Sequence, residues 1–178
     1  MSFKLDDGFY LIIGKQGSGK TLFMMKLLDD NYQRKRKIFS NITLKKHEFE
    51  RVDLNTILTK LQTDRDYFND SIILLDEIHI YFDSLDFMHK NNRMAQSFFS
   101  QIRKRKILLI ATTQYIMNVD VRIRRQCSKV YEMYNLGRGY FQVHQHYVDG
   151  YISFYETTYR YNLKPYYNFY DTYEIIDK

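Results

Sequence analysis

Eight consecutive residues constrain this chain more than any other feature: Gly14-Lys15-Gln16-Gly17-Ser18-Gly19-Lys20-Thr21. They follow the apolar run Phe9-Tyr10-Leu11-Ile12-Ile13 and precede Leu22-Phe23-Met24-Met25-Lys26-Leu27-Leu28. That order reads as strand, glycine loop and helix, and the spacing satisfies G-x-x-x-x-G-K-[ST]. Glycines let backbone amides converge on phosphate oxygens, and the helix N-terminus behind them adds positive partial charge. Gly14, Gln16, Gly17, Ser18 and Gly19 are therefore expected to cradle phosphates. Lys20 is expected to reach the β- and γ-phosphates, and the Thr21 hydroxyl to ligate Mg²⁺. The cofactors this predicts are ATP and Mg²⁺.

A strand that feeds such a loop belongs to an α/β fold, and the rest of the chain supplies the other strands. Ile38 to Leu44 is β-branched and aromatic enough for a second strand. Residues 45 to 70 are polar and helical in pattern, with Leu54, Ile57, Leu58 and Leu61 as core positions. Ser71-Ile72-Ile73-Leu74-Leu75 and Ile107-Leu108-Leu109-Ile110-Ala111-Thr112 are continuous apolar runs, as in strands buried on both faces of a parallel sheet. Between them, Asn91 to Lys106 reads as a helix carrying Met94, Phe98, Phe99 and Ile102. From about Val130 the pattern changes to alternating strands separated by Gly137-Arg138-Gly139 and Asp149-Gly150, the latter a hairpin signal. The expected architecture is a mostly parallel central sheet flanked by helices, with antiparallel C-terminal strands extending it. The chain of 178 residues fits one domain, with a nucleotide-binding core over 1–129 and an antiparallel extension and tail over 130–178.

In alternating α/β folds the ligand sits at the carboxyl ends of the strands. The chemistry-bearing residues fall there. Asp76-Glu77 ends one apolar run: Asp76 is expected to hold Mg²⁺ through water, and Glu77 to polarise the attacking water. Gln114, at the end of the next, is placed to sense the γ-phosphate. Hydrolysis of this kind draws much of its rate from an arginine, often supplied by another subunit. The Arg122-Ile123-Arg124-Arg125 cluster is the candidate, with Arg124 preferred and Arg103 and Arg105 as further options.

The net charge is +6, and the excess clusters in runs 34–37, 103–106 and 122–125. Such clustering favours a polyanionic partner, although cations also suit the last turns of helices. The single cysteine, Cys127, excludes an internal disulfide and agrees with a reducing compartment. No stretch approaches the roughly 20 apolar residues of a membrane span, so the expectation is a soluble protein of the host cytoplasm, in part virion-associated. His144 and His146 share one face of a strand, a spacing that permits metal binding. With no third ligand nearby in sequence, they read as core or surface histidines. The 17 tyrosines, crowded towards the C-terminus, could stack on bases but read first as sheet packing.

The glycine loop, Leu75-Asp76-Glu77, Ala111-Thr112-Thr113-Gln114, Val119-Asp120 and Ile123-Arg124 together resemble the FtsK/HerA superfamily of DNA-pumping ATPases. Within it, the small viral genome-packaging ATPases and the zonula-occludens-toxin-like (Zot) phage assembly ATPases are most similar. Ile38-Phe39-Ser40-Asn41-Ile42 and Tyr170-Asp171-Thr172-Tyr173-Glu174 also look like the second group. The resemblance spans about Gly8 to Ile176. It implies a sensor at Gln114, an arginine acting in trans at Arg124 or a neighbour, and a homo-oligomeric ring, hexameric by preference, around double-stranded DNA that the basic runs 34–37, 103–106 and 122–125 contact. A capsid or portal-vertex protein is an implied partner. The phage-assembly proteins usually carry a membrane span and a further domain, which this sequence lacks, and that favours a packaging motor over an extrusion factor. Asp76-Glu77-Ile78-His79 also resembles the DEAH box of two-domain helicases, which would need a longer chain.

Overall fold

Alternate residues of the first strand enter two different cores, and the architecture follows from that. Phe9 and Leu11 of β1 (Gly8–Ile13) pack on one side, while Tyr10 and Ile12 pack on the other. A strand buried on both faces must lie in the middle of a layered sheet. The computed structural model describes residues 3–80, 90–149 and 152–171. In it β1 is joined by β2 (Lys37–Ser40), β3 (Glu50–Arg51), β4 (Ser71–Leu75), β5 (Leu108–Thr113), β6 (Cys127–Gly137), β7 (Tyr140–Asp149) and β8 (Ile152–Asn162). All eight form one sheet in the order β3-β2-β4-β5-β1-β6-β7-β8.

The helix behind the glycine loop, α1 (Lys20–Asn31), covers one face, and Phe23, Met24, Met25, Leu27 and Leu28 are fully buried there. It is apolar on most of its circumference because the chain's ends cover its outer side. The Phe3 N–H donates to Asp30 Oδ2 at 2.8 Å, and Asn31 Nδ2 donates to the Phe3 carbonyl at 2.8 Å. Tyr166 and Phe169 of the tail pack against the same cluster. The opposite face carries α2 (Leu54–Thr63), α3 (Lys90–Gln101) and α4 (Val121–Arg124), which contribute Ile57, Phe98, Phe99 and Ile123 to its core. Ile57 and Leu58 are buried, as their spacing predicts; the expectations for Leu54 and Met94 fall on side chains outside the described residues.

Three elements differ from the sequence reading. The predicted strand through Leu44 stops at Ser40, because Asn41 turns to bond the end of β4, and Leu44 instead makes an isolated antiparallel bridge to Tyr170. The stretch 45–53 is not helical; it holds β3 and the cap of α2, where Asp53 accepts from the Thr56 N–H. The antiparallel extension begins one strand later than Val130. β6 runs parallel to β1 from Cys127 and antiparallel to β7, and β7 is antiparallel to β8. The expected hairpin is present in the Asp149–Ile152 pairing, although the Gly150 turn position and the Thr172-Tyr173-Glu174 part of the tail lie outside the described residues.

Two of the basic runs meet. Arg36 pairs with Asp7 at 2.9 Å and donates to the carbonyls of Ser71 and Lys106. Runs 34–37 and 103–106 thus converge at the amino ends of β2, β4 and β5, the edge of the sheet opposite the glycine loop. Arg36 and Arg105 are committed to backbone carbonyls there, while Arg34, Lys35, Arg103 and Lys104 are exposed. No helix among the described residues is long and apolar enough to cross a membrane.

Candidate nucleotide site

Strand register assembles the site. Leu75 of β4 lies opposite Ala111 of β5, and Thr113 of β5 lies opposite Ile13 of β1. Carried one step further, Asp76 falls beside Thr112 and Gly14 beside Gln114, at the carboxyl ends of three adjacent parallel strands. The strand that carries Asp76 is therefore separated from the loop-bearing strand by β5, whose end supplies hydroxyls between them.

Asp76 is held on all sides. The Thr21 hydroxyl donates to its carboxylate at 3.1 Å, and the Thr112 hydroxyl donates to Oδ1. Asn41 grips its backbone twice, accepting from the Asp76 N–H at 2.8 Å and donating to the Asp76 carbonyl at 2.8 Å. Burial pushes the Asp76 carboxyl above its ordinary range; the Thr112 hydroxyl opposes this, and the neighbouring Glu77 charge adds to it. A buried carboxylate raised in this way calls for a cation. The Thr21 hydroxyl and the Asp76 carboxylate are adjacent hard oxygen donors, and hard oxygens are what Mg²⁺ takes. The donor set therefore fits the ion the sequence predicts.

Lys20, the first residue of α1, is only 6% exposed, and its ammonium is 3.6 Å from Glu77 Oε1 and 3.4 Å from the Lys15 carbonyl. Burying an ammonium with such loose partners is costly unless an anion joins it. Glu77 sits at φ 50, a left-handed conformation that costs a non-glycine residue about 1–2 kcal/mol. Its N–H donates to the Thr112 hydroxyl at 2.9 Å, which holds that conformation, and its buried Oε2 lies 3.3 Å from His79 Nδ1. Strain kept at a site by specific hydrogen bonds is the pattern of a positioned functional group.

The loop itself is shaped by close approach. Gly14, at φ 148, would place a Cβ 2.8 Å from the Met133 carbonyl of β6; Gly19, at φ 90, would place one 2.5 Å from the ring of Phe141 in β7. No side chain caps α1, so the amides of its first turn remain available to an anion. Beside the loop opens a cleft of about 530 Å³, walled by Gly14 to Ser18, by Gln114 to Met117 and by Glu132 to Asn135. Gln114 lines this cleft and accepts the Gly14 N–H on its backbone carbonyl at 3.2 Å.

Lys20, Thr21, Asp76 and Glu77 are thus brought together, with Gln114 at the adjoining wall. Arg124 stands apart from this group. It is 5% exposed and turned into the protein, where its guanidinium lies 3.0 Å from Met117 Sδ. Ile123, which precedes it in α4, is buried as well. Arg122 and Arg125 of the same run are exposed, and Arg122 pairs with Asp120 at 3.0 Å. Sequence reasoning missed Asn41, Thr112 and His79 as supports, and Tyr115, Met117 and Glu132 to Asn135 as cleft walls. The position of Asn41 at the end of β2 was the available signal, since β2 adjoins β4.

Residues 8–174 match the family described as Zonular occludens toxin (Zot). Among curated proteins none matches the sequence. Among solved structures, the N-terminal domain of zonular occludens toxin from Neisseria meningitidis is similar with a TM-score of 0.71 at 18% identity, over 94% of this chain and 100% of that one. B204, the DNA-packaging ATPase of Sulfolobus turreted icosahedral virus, is similar with a TM-score of 0.56 at 16% identity, over 88% of this chain and 98% of that one. The genome-packaging NTPase B204 of Sulfolobus turreted icosahedral virus 2, in complex with ATP-gammaS, has a TM-score of 0.56 at 11% identity, over 85% and 97% of the two chains. These similarities establish the P-loop NTPase fold.

Proposed function

The chain belongs to the zonular occludens toxin family, and from that premise we propose that it is an ATPase whose hydrolysis drives DNA translocation in a phage or viral assembly, acting as a ring-shaped homo-oligomer. The observation that carries the reading is the four-residue constellation of Lys20, Thr21, Asp76 and Glu77, with Thr21 on Asp76 at 3.1 Å and Lys20 on Glu77 at 3.6 Å. Two solved relatives of this fold are named as DNA-packaging or genome-packaging enzymes, which supports nucleic acid as the load.

The chain's own groups account for the chemistry. The loop amides and the first turn of α1 bind the phosphates, and Lys20 exchanges its contact with Glu77 for the β- and γ-phosphate oxygens. Thr21 and Asp76 would hold Mg²⁺, which when bound would supply charge neutralisation at those oxygens. Releasing Lys20 frees the Glu77 carboxylate to orient a water and accept its proton as the water oxygen bonds to the γ-phosphorus. The bond from that phosphorus to the bridging oxygen then breaks, and ADP leaves with the electron pair. The base of the nucleotide occupies the cleft beside Tyr115, Met117 and Met133. The exposed cations of runs 34–37 and 103–106 grip the DNA backbone, and Arg122 or Arg125 completes the site of an adjacent subunit.

A second reading, a nucleotide-switched assembly factor that does not itself pump DNA, is favoured by the family match. Steady-state ATP hydrolysis with and without double-stranded DNA, at low and moderate salt, separates the two. Stimulation that fades with salt, as phosphate contacts do, and that vanishes in Glu77→Gln supports translocation. Turnover indifferent to DNA supports the switch, and undiminished turnover in Lys20→Ala refutes the site itself.

A further inference from the structure

The antiparallel extension brings together three side chains that carry metal-ligating atoms and take no part in the phosphate-binding constellation. Two residues apart on β7, His144 and His146 project from one face, and the β6–β7 register puts Glu132 directly opposite His144. One ligand atom from each of Glu132, His144 and His146 lies within 4.8 Å of the others, and Glu132 Oε2 is already 3.2 Å from His146 Nε2. Ligands about 2.0–2.1 Å from a tetrahedral ion stand about 3.3 Å apart. The first pair is thus at coordination spacing, and the others close by no more than about 1.5 Å, within reach of side-chain rotation.

The surroundings are those of a built site. His146 Nδ1 is buried and has no hydrogen-bond partner. Tyr155 stands edge-on to both imidazoles, and Tyr134 packs on His144 with ring centroids 5.0 Å apart. The β7–β8 register slips between Gln145 and His146, a bulge of the kind that re-aims side chains beside functional sites. Glu132 is about one-third exposed, so the cluster opens to solvent on one side.

We propose that Glu132, His144 and His146 bind one divalent transition-metal ion of the zinc class. Two imidazole nitrogens and one carboxylate oxygen make a borderline donor set that suits Zn²⁺, Ni²⁺ or Cu²⁺, and it is poorly matched to Mg²⁺ or Ca²⁺, which take oxygen. Three protein ligands leave a coordination position for water or an exogenous group. Glu132 also walls the nucleotide cleft, so an ion held there would sit at one wall of that cleft.

The test is calorimetric titration of ZnCl₂ into the tag-free, chelator-treated full chain, without nucleotide or magnesium, so that it is independent of ATPase activity. One Zn²⁺ per chain is expected, with affinity weakened at least tenfold in His144→Gln and in His146→Gln and unchanged in His79→Gln, whose imidazole lies in the phosphate site. Circular dichroism checks that each variant is folded. Should a variant not fold, Co²⁺ titration of the parent protein decides: saturating visible d–d absorption at one equivalent, displaced by Zn²⁺, supports the site. Absence of stoichiometric binding in the parent protein, or binding that survives both substitutions on β7 and is lost in His79→Gln, overturns it.

Discussion

Replacing Gly19 with alanine tests whether the phosphate loop is shaped by the strand behind it. The residue sits at φ 90, where an L side chain costs about 1–2 kcal/mol. Its new Cβ would stand 2.5 and 2.6 Å from two ring carbons of Phe141, a residue only 3% exposed and therefore unable to swing into solvent. Overpacking of that kind adds about 1–3 kcal/mol, so Gly19→Ala should destabilise the nucleotide-free protein by about 2–5 kcal/mol. Phe141→Leu alone should cost about 1 kcal/mol, as a near volume-conserving swap. In the double variant the clash is gone and only the backbone penalty remains, so its loss should fall short of the sum of the singles by at least about 1 kcal/mol. Urea unfolding of the four proteins, followed by circular dichroism, measures that coupling. Additivity within about 0.5 kcal/mol would refute the claim that Phe141 dictates a glycine at position 19.

Other expectations follow from the same geometry. Glu77→Gln keeps the shape of the side chain but removes the base, so turnover should drop by about 10²–10⁴-fold while nucleotide binding persists; equilibrium binding and phosphate release measure the two halves. Asp76 has a folded-state pKa raised by burial, so the folded chain holds that proton more tightly than the unfolded chain does. Its contribution therefore favours the fold at low pH and is lost as pH rises through the folded value. In the absence of nucleotide, Asp76→Asn should melt higher than the parent at neutral pH, with the gap closing below about pH 4; a lower melting temperature at neutral pH counts against the assignment. Asn41→Ala strips two hydrogen bonds from the Asp76 backbone and should cost about 1–3 kcal/mol in urea unfolding. Mixing Arg125→Ala with Glu77→Gln subunits should restore part of the activity that each lacks alone, and a mixture as inactive as its components would remove Arg125 from the intersubunit role.

What could be read in the residues was whatever depends on local pattern. The strand-loop-helix order, the two apolar runs that became β4 and β5, and their acidic and polar ends are local signals, and they pointed to Lys20, Thr21, Asp76 and Glu77, which the structure brings together. What could not be read depends on which strands are neighbours. Asn41 supports Asp76 only because β2 pairs with β4, and Thr112 reaches it only because β5 intervenes between β4 and β1. The same limit hid Glu132 as the partner of His144, since nothing in the sequence pairs residues twelve apart across a hairpin until the register is known. The burial of Arg124 was hidden for a different reason. Three arginines in four residues look alike in sequence, while a single helical turn faces one inward and leaves its neighbours outside.

The converged basic runs sit at the amino ends of β4 and β5, the strands whose carboxyl ends lead into Asp76 and Gln114, and that separation sets the kind of signal that can pass between them. β4 and β5 are five and six residues long, so the two edges stand about 17–20 Å apart. At that range a unit charge acts on another by less than about 1 kcal/mol even at an effective dielectric constant of about 20, and a Debye length of about 8 Å removes most of the remainder for exposed cations. The loss of a γ-phosphate is thus electrically almost silent at the far edge. Whatever those cations hold can respond to the nucleotide only through movement of the strands themselves, with the sheet acting as a stiff push-rod between two chemically independent ends.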